Sequence, residues 1–436
     1  MTQTWLYRSG LCALVLLPVA HLTSLGVMEM AGFLLFVASL GLFLTECIAD
    51  TPMALSRIRS TVALPILGYS IVTMVSAFVM LENVDDQLAA LRELKWVIYV
   101  FAFAYFLERY GAASWSGYFR LFLFLVTILS LFAIAQFLYG WEYPRADRVV
   151  DPVASYFRVT GLFNVSQSFA GNMGMAVFFM IGVCSVGVMG SWASARPILA
   201  LSTLAIVLGW IAVVLTLTRS AWFAGALVLI VAASRLKRIW GLGAVVMVVL
   251  GFGLTVQSNG IFAERLLSET GPHRASIEHR QEVWKANWQI FNEHPLLGIG
   301  PGQNVEKLDQ YFDAASVHRR ITSAHNNFLE VAASRGTFAL LCYCATSLYF
   351  LAISLRVASG KKSCALLRAI ATGSLLAQIY FHVLGVVDSN FFDREVKNML
   401  TFLWAITLAA AARLKKTKTK ECALQPTGHS AKGSLG

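Results

Sequence analysis

A histidine at a helix start and two arginines at the ends of apolar runs are the residues here whose types and spacing point to chemistry. His325 follows Thr322 and Ser323, both suited to capping a helix, and precedes Asn326-Asn327-Phe328-Leu329-Glu330. This order predicts that His325 lies in the first turn of a helix leading into an apolar run. The positive end of the helix dipole disfavours a further cation there, and a neutral imidazole can accept a proton as a general base. The competing role is a histidine that only caps the helix or meets lipid headgroups. Arg219 stands in LTLTRSAW between two apolar runs, where a guanidinium must be paired or reach the surface. Its planar fork of donors cannot lose its proton and suits a diphosphate, although an arginine that merely snorkels to the interface fits the same position. Arg280 opens a helical pattern with Trp284, Asn287, Trp288 and Phe291 on one face. Such a helix lying on a bilayer would place its tryptophans at the interface and Arg280 at the level of lipid phosphates.

Other patterns carry less. The turn HPLLGIGPG has three glycines, but no strand precedes it and no Gly-Lys-Ser/Thr follows, so it is no nucleotide loop; it brings backbone close to a membrane or a ligand. The histidines lack zinc-binding spacing, and the seven cysteines avoid the polar stretch Gln257–Arg335 altogether. No metal or other cofactor is expected. Asp85 and Asp86 form an acidic turn between apolar runs, read as solvated.

The elements that position these residues follow from composition. A hydrophobic fraction of 57%, with only 14% charged residues and a mean hydropathy of +0.65, excludes a soluble domain. Repeated runs reach the ~20 residues needed to cross ~30 Å of hydrocarbon, which predicts an all-α polytopic membrane protein of about twelve transmembrane helices. The run from Pro197 to Ser234 would reach roughly 55 Å as one straight helix, so it must reverse, and LTLTRSAW is the natural place. The ninth span falls at about 239–256, the tenth at about 337–355, the eleventh at about 369–387 and the twelfth at about 399–412. The net charge of +11 sits in short loops and in the tail Lys415, Lys416, Lys418, Lys420, as the positive-inside rule requires, which argues against nucleic acid. The tail from Thr417 is expected to be disordered. With the N-terminus inside, Arg158, Arg219, Arg280 and His325 all fall on the face opposite the basic loops.

TRSAW at Arg219, R-x3-W-x3-W-x5-HPLLGIGPG from Arg280, and HNNFLE at His325 together resemble the O-antigen ligase/polymerase superfamily of bacterial inner-membrane proteins. The resemblance covers roughly residues 150 to 350. It implies transfer of a glycan from undecaprenyl diphosphate on the periplasmic face, with Arg219 and Arg280 on the diphosphate and His325 as the base that activates an acceptor hydroxyl. RVTGLFN at Arg158 resembles a further segment, which makes Arg158 a substrate-binding candidate. The domains then read as spans 1–9 over residues 1–256, a periplasmic catalytic loop over 257–335, spans 10–12 over 336–413 and a cytoplasmic basic tail over 414–436. The implied partners are the lipid-linked donor, a lipid A–core acceptor and membrane lipids. The expected activity is that of an O-antigen ligase in lipopolysaccharide biosynthesis, with a polymerase or O-oligosaccharyltransferase of the same superfamily as the alternative. A transporter or flippase of a lipid-linked glycan would instead need ionisable residues at mid-span.

The sidedness has a direct test. A cysteine placed at Ser268 or Ser316 is expected to react with an impermeant thiol reagent in spheroplasts, and one at Ser359 is not. Equal labelling of all three would remove the shared face.

Overall fold

In the computed structural model the residues described are 2–49, 63–110, 115–141, 152–153, 156–186, 196–235, 272–312, 323–360 and 363–423. Among them the architecture is helical, apart from a β-bridge pairing Pro152–Val153 with Tyr156–Phe157. The helices are α1 (Thr2–Thr23), α2 (Leu25–Ala49), α3 (Leu64–Met80), α4 (Val84–Glu93), α5 (Lys95–Tyr110), α6 (Trp115–Tyr139), α7 (Ser166–Val186), α8 (Arg196–Leu215), α9 (Arg219–Arg235), α10 (Pro272–Glu293), α11 (Gln303–Glu306), α12 (Asn327–Ala358), α13 (Ala365–Leu384) and α14 (Arg394–Ala423).

Six helices (within α1, α2, α6, α7, α12 and α13) are long and apolar enough to cross a membrane, and shorter apolar helices lie in α3, α8 and α9. A multi-pass helical membrane protein follows. The expected ninth span lies outside the described residues. The long apolar run does reverse: α8 stops at Leu215 and α9 starts at Arg219. Asp85 and Asp86 sit in the first turn of α4, where Asn83 caps the backbone N–H of Asp85 and the helix dipole favours their charge. The helix α14 runs on to Ala423, so the first residues of the expected disordered tail are helical. Residues 424–436 lie outside the described residues.

Close packing of small residues holds the centre together, as it must where no hydrophobic effect separates helix from lipid. A Cβ on Gly182 of α7 would lie 2.4 Å from the Gly373 backbone of α13, and one on Gly174 would strike the Tyr380 ring. Tyr380 stacks on Phe178 at 5.2 Å and donates its hydroxyl to Ala170 O at 3.0 Å. A buried polar chain joins α12, α13 and α14. Gln378 Nε2 donates to Ser354 Oγ at 3.0 Å and Ser374 Oγ at 2.9 Å, and Trp404 Nε1 donates to Gln378 Oε1 at 3.2 Å. Every member of this chain finds a partner, which burial in an apolar bundle demands.

The helix α12 is broken. Gly336 has φ 78° and ψ −175°, separating a short N-terminal piece from the span expected at 337–355. The glycine-rich turn supplies the hydrogen bonds that the break frees: Ile299 N donates to Ala333 O at 2.9 Å, Gly300 N to Ser334 O at 3.1 Å, and Thr337 N to Pro295 O at 2.8 Å. Ser76 of α3 donates to Leu297 O at 2.6 Å and fastens the same turn from the other side. HPLLGIGPG thus brings backbone close to a broken helix of its own chain.

Gly336→Ala tests this arrangement. The added Cβ would lie 2.2 Å from Leu296 O, in a backbone region that costs about 1–3 kcal/mol for other residues. The detergent-solubilised variant is expected to unfold at a lower temperature, and an unchanged Tm would show that the break does not depend on glycine.

Candidate functional site

The site gathers at the end of the bundle where α8, α13 and their neighbours turn. The helices α8 and α13 finish there, and α7, α9, α12 and α14 begin there. The turn after α13, residues 385–393, is its floor.

His325 lies on this floor, but not where its spacing suggested. The N-cap of α12 is Asn326, whose side chain accepts from Phe328 N and Leu329 N. His325 therefore precedes the helix instead of occupying its first turn, because Asn326 is the residue that caps it. Its φ is +50°, a left-handed conformation uncommon outside glycine. Its Nδ1 lies 3.9 Å from Asp388 Oδ1 and is buried without a hydrogen-bond partner.

Arg280 reaches the same turn, its Nη1 donating to Val387 O at 2.8 Å. Val387 and Asp388 are consecutive, so Arg280 and His325, 45 residues apart in sequence, meet at neighbouring peptide units. The inward stripe of α10 is Val283, Ala286 and Ile290 together with Asn287. Of the face expected to lie on the bilayer, Asn287 turns inward, whereas Trp288 is 53% exposed and packs its ring on Phe291 at 5.5 Å. The pattern of large residues draws attention to the tryptophans, whereas the smaller side chains make the contact.

Arg158 holds the reversal that leads to Arg219. Arg158 donates from Nε to Thr216 O at 2.9 Å and from Nη2 to Thr218 Oγ1 at 3.5 Å, inside the reversal that ends at Arg219. Leu217 in that reversal has φ +54°. Leu217 and His325 are the non-glycine residues with positive φ among the described residues, and one lies in each half of the site. The halves are joined through α7: the segment from Arg158 leads into it, and Ser168 in its first turn donates its hydroxyl to Asp393 at the end of the floor.

Sequence reasoning missed the supporting residues. Glu330 is buried and accepts from Ala324 N, from Ser389 Oγ at 2.9 Å and from Asn304 Nδ2 at 3.2 Å. Asn304 Nδ2 also donates to Asn287 Oδ1 at 3.0 Å. Beside them Arg335 pairs with Glu93 at 2.8 Å and stands over the Phe392 ring at 5.0 Å. Asp388-Ser389-Asn390 between two apolar runs is the one signal that could have flagged the floor, since such residues mark turns. Among the described residues no group of three or more His, Cys, Asp or Glu side chains could share a metal ion.

These features define a multi-pass helical membrane protein with arginines and a histidine collected at one end of its bundle. Residues 204–344 match the family model for O-antigen ligase, which includes Arg219, Arg280 and His325 but neither Arg158 nor the floor. This match, over about a third of the chain, supports the resemblance to the O-antigen ligase/polymerase superfamily, whose members are glycosyltransferase-like enzymes. No curated protein matches the chain.

The Arg335–Glu93 pair predicts a pH effect. Burial pushes the Glu93 carboxyl up, but Lys397, Arg335 and Arg394 outweigh it and hold the group below its ordinary range. A lowered value means that the charged form stabilises the fold at neutral pH and that this contribution is lost as the pH falls through that lowered range. The wild-type Tm is therefore expected to drop as the pH falls below the ordinary carboxylate range, and Glu93→Gln is expected to lower the Tm at neutral pH and flatten that drop.

Proposed function

We propose that this protein is an O-antigen ligase that transfers a glycan from undecaprenyl diphosphate to lipid A–core on the periplasmic face of the inner membrane. The observation that carries the proposal is the meeting of Arg280 and His325 on Val387-Asp388, inside a superfamily that uses lipid-linked glycans.

The acceptor hydroxyl gives its proton to His325 as its oxygen attacks the anomeric carbon. The bond from that carbon to the diphosphate breaks on the opposite face, with inversion. Undecaprenyl diphosphate leaves as an anion, its charge met by Arg219 and Arg280, with Arg158 bracing the turn that carries Arg219. Fixed guanidinium donors can stabilise that leaving group in the role a divalent cation has elsewhere, so the proposed transfer is metal-independent. Because both substrates are lipids, the site opens toward the outer leaflet. The ligase reading is preferred to the polymerase on the description of the matched family model, O-antigen ligase. It is preferred to a flippase because the cations named here lie at one end of the bundle and not at mid-span.

Transfer in purified protein tests the assignment, with lipopolysaccharide of a deletion strain as the check on product. Loss of the whole O-antigen ladder supports a ligase, and core carrying a single repeat supports a polymerase. His325→Ala is expected to lose about 10²–10⁴-fold in rate while still binding the donor, and chelator is expected to leave the wild type active. Arg219→Lys and Arg280→Lys keep the charge but lose the fork, and strong loss is expected in both. Near-normal activity with lysine at both positions would refute bidentate recognition.

A further inference from the structure

His325 holds an uncommon backbone conformation, and something must impose it. The groups around it are all engaged: Asn327 N donates to Gly385 O at 2.8 Å, Asn326 N to Ser389 Oγ at 3.2 Å, and Ala324 N to Glu330. Ser389 in turn donates to Glu330 at 2.9 Å. One carboxylate therefore closes both sides of a three-residue arch: directly at Ala324, and through Ser389 at Asn326. His325 is the crown of that arch. The carboxylate is anchored from below by Asn304, which is itself tied to Asn287 of α10.

Burying such a carboxylate is expensive unless its oxygens are fully hydrogen-bonded. Three donors and a position in the first turn of α12, near the positive end of the helix dipole, offset part of that cost. An apolar residue here would leave the buried Ala324 N–H without its acceptor, so the carboxylate fixes three donors from separate segments at once. Glu330 does not touch the imidazole in the contacts described; what it holds is the backbone on each side.

We infer that Glu330 is a positioning residue for the proposed transfer: its carboxylate clamps Ala324 and Ser389 so that the His325 imidazole stands over Asp388, beside the carbonyl that holds Arg280. The inference rests on His325 being the base. A displacement on the order of 1 Å at a reacting group can cost about 100-fold in rate, so the clamp matters even though it carries no proton.

The test uses full-length protein in nanodiscs, with undecaprenyl-diphosphate-linked glycan from the producing strain and lipid A–core lacking O-antigen. Glu330→Gln keeps an oxygen for Ala324 N and Ser389 Oγ and is expected to stay within about tenfold of wild type in kcat. Glu330→Ala is expected to lose about 100-fold in kcat, on the scale of such a displacement, with the donor KM little changed because Arg280 is held separately through Val387 O. A double-mutant cycle supplies the decisive reading: in a His325→Ala background, Glu330→Ala should add little further loss, because the two act as one unit. If Glu330→Ala fails to fold, Ser389→Ala, which removes one side of the arch, must show the same kcat loss and the same non-additivity. Multiplicative losses in the cycle, a glutamine variant as inactive as alanine, or wild-type transfer by Glu330→Ala would each overturn the inference. His325→Ala that is itself active would overturn the base assignment instead, whatever Glu330 does.

Discussion

A single buried amide holds the working end of this molecule together. Asn327 donates its backbone N–H to Gly385 O at 2.8 Å, accepts Phe391 N on its side-chain oxygen at 2.9 Å, and donates its side-chain amide to Asn390. The start of α12 and the turn between α13 and α14 are thereby one object, although 63 residues separate Asn327 from Asn390. Packing leaves no slack: a Cβ on Gly385 would stand 2.2 Å from the Asn327 amide nitrogen. His325 hangs from one side of this joint, and Val387 and Asp388 from the other. An asparagine can do this because it presents a donor and an acceptor at once, and at the edge of an apolar bundle an unmet amide would be costly. The clamp at Glu330 refines the position of His325, but the joint at Asn327 decides that there is a site to refine.

The same accounting explains the broken helix. A helix entering a bilayer cannot lose backbone hydrogen bonds to water, so a break survives only where protein replaces them. Residues 295–300 do so at Gly336, and the break lets the piece bearing Glu330 and Arg335 point away from the axis of the span that follows. The piece before the break therefore belongs to the site, while the piece after it belongs to the membrane. Arg335, at the junction, is buried and is made tolerable by Glu93 and the Phe392 ring, an ion pair and a cation–π contact in place of solvent.

Much of this is legible in the amino-acid sequence, for physical reasons. Hydropathy announces spans because a bilayer punishes polar residues uniformly, and the reversal at LTLTRSAW follows from length alone. The arginines and the histidine stand out because charge amid apolar sequence needs an explanation. What the sequence hides is the set of uncharged or satisfied groups: Asn287, Asn304, Ser389 and the carbonyl of Val387 have no periodicity, and their roles arise only when distant segments meet. The cap of α12 falls at Asn326 and not at Thr322 or Ser323, although all are good caps in isolation. Tertiary contact chooses among them, since the amide of Asn327 must face Gly385 for the joint to form. The inward face of α10, Val283, Ala286, Asn287 and Ile290, is hard to read for a related reason. Large aromatic residues suggest a buried stripe in soluble protein, but beside a membrane they are equally at home facing lipid headgroups.

Strain and charge fall together in this molecule. Leu217 and His325 adopt left-handed backbone conformations, and each adjoins an element bearing a candidate arginine. A tight reversal forces Leu217: Thr216 and Leu217 donate back to Val213 and Val214 at 3.2 and 3.1 Å, closing α8 within one turn. That closure lets α9 start at once with Arg219, so the guanidinium lies at the bundle end instead of one turn further along a loop. At His325 the left-handed residue puts a side chain outside a helix whose first N–H groups are already occupied by Asn326. In both places an ordinary connection would be less strained, and it would also carry the candidate side chain away from this end of the bundle. Rigid placement matters most for a reaction whose leaving group is a diphosphate, because fixed donors stabilise developing charge without reorganising as it appears. The backbone strain is thus the structural counterpart of the chemistry proposed: it holds guanidinium and imidazole where a substrate arriving from the lipid would otherwise have to assemble them.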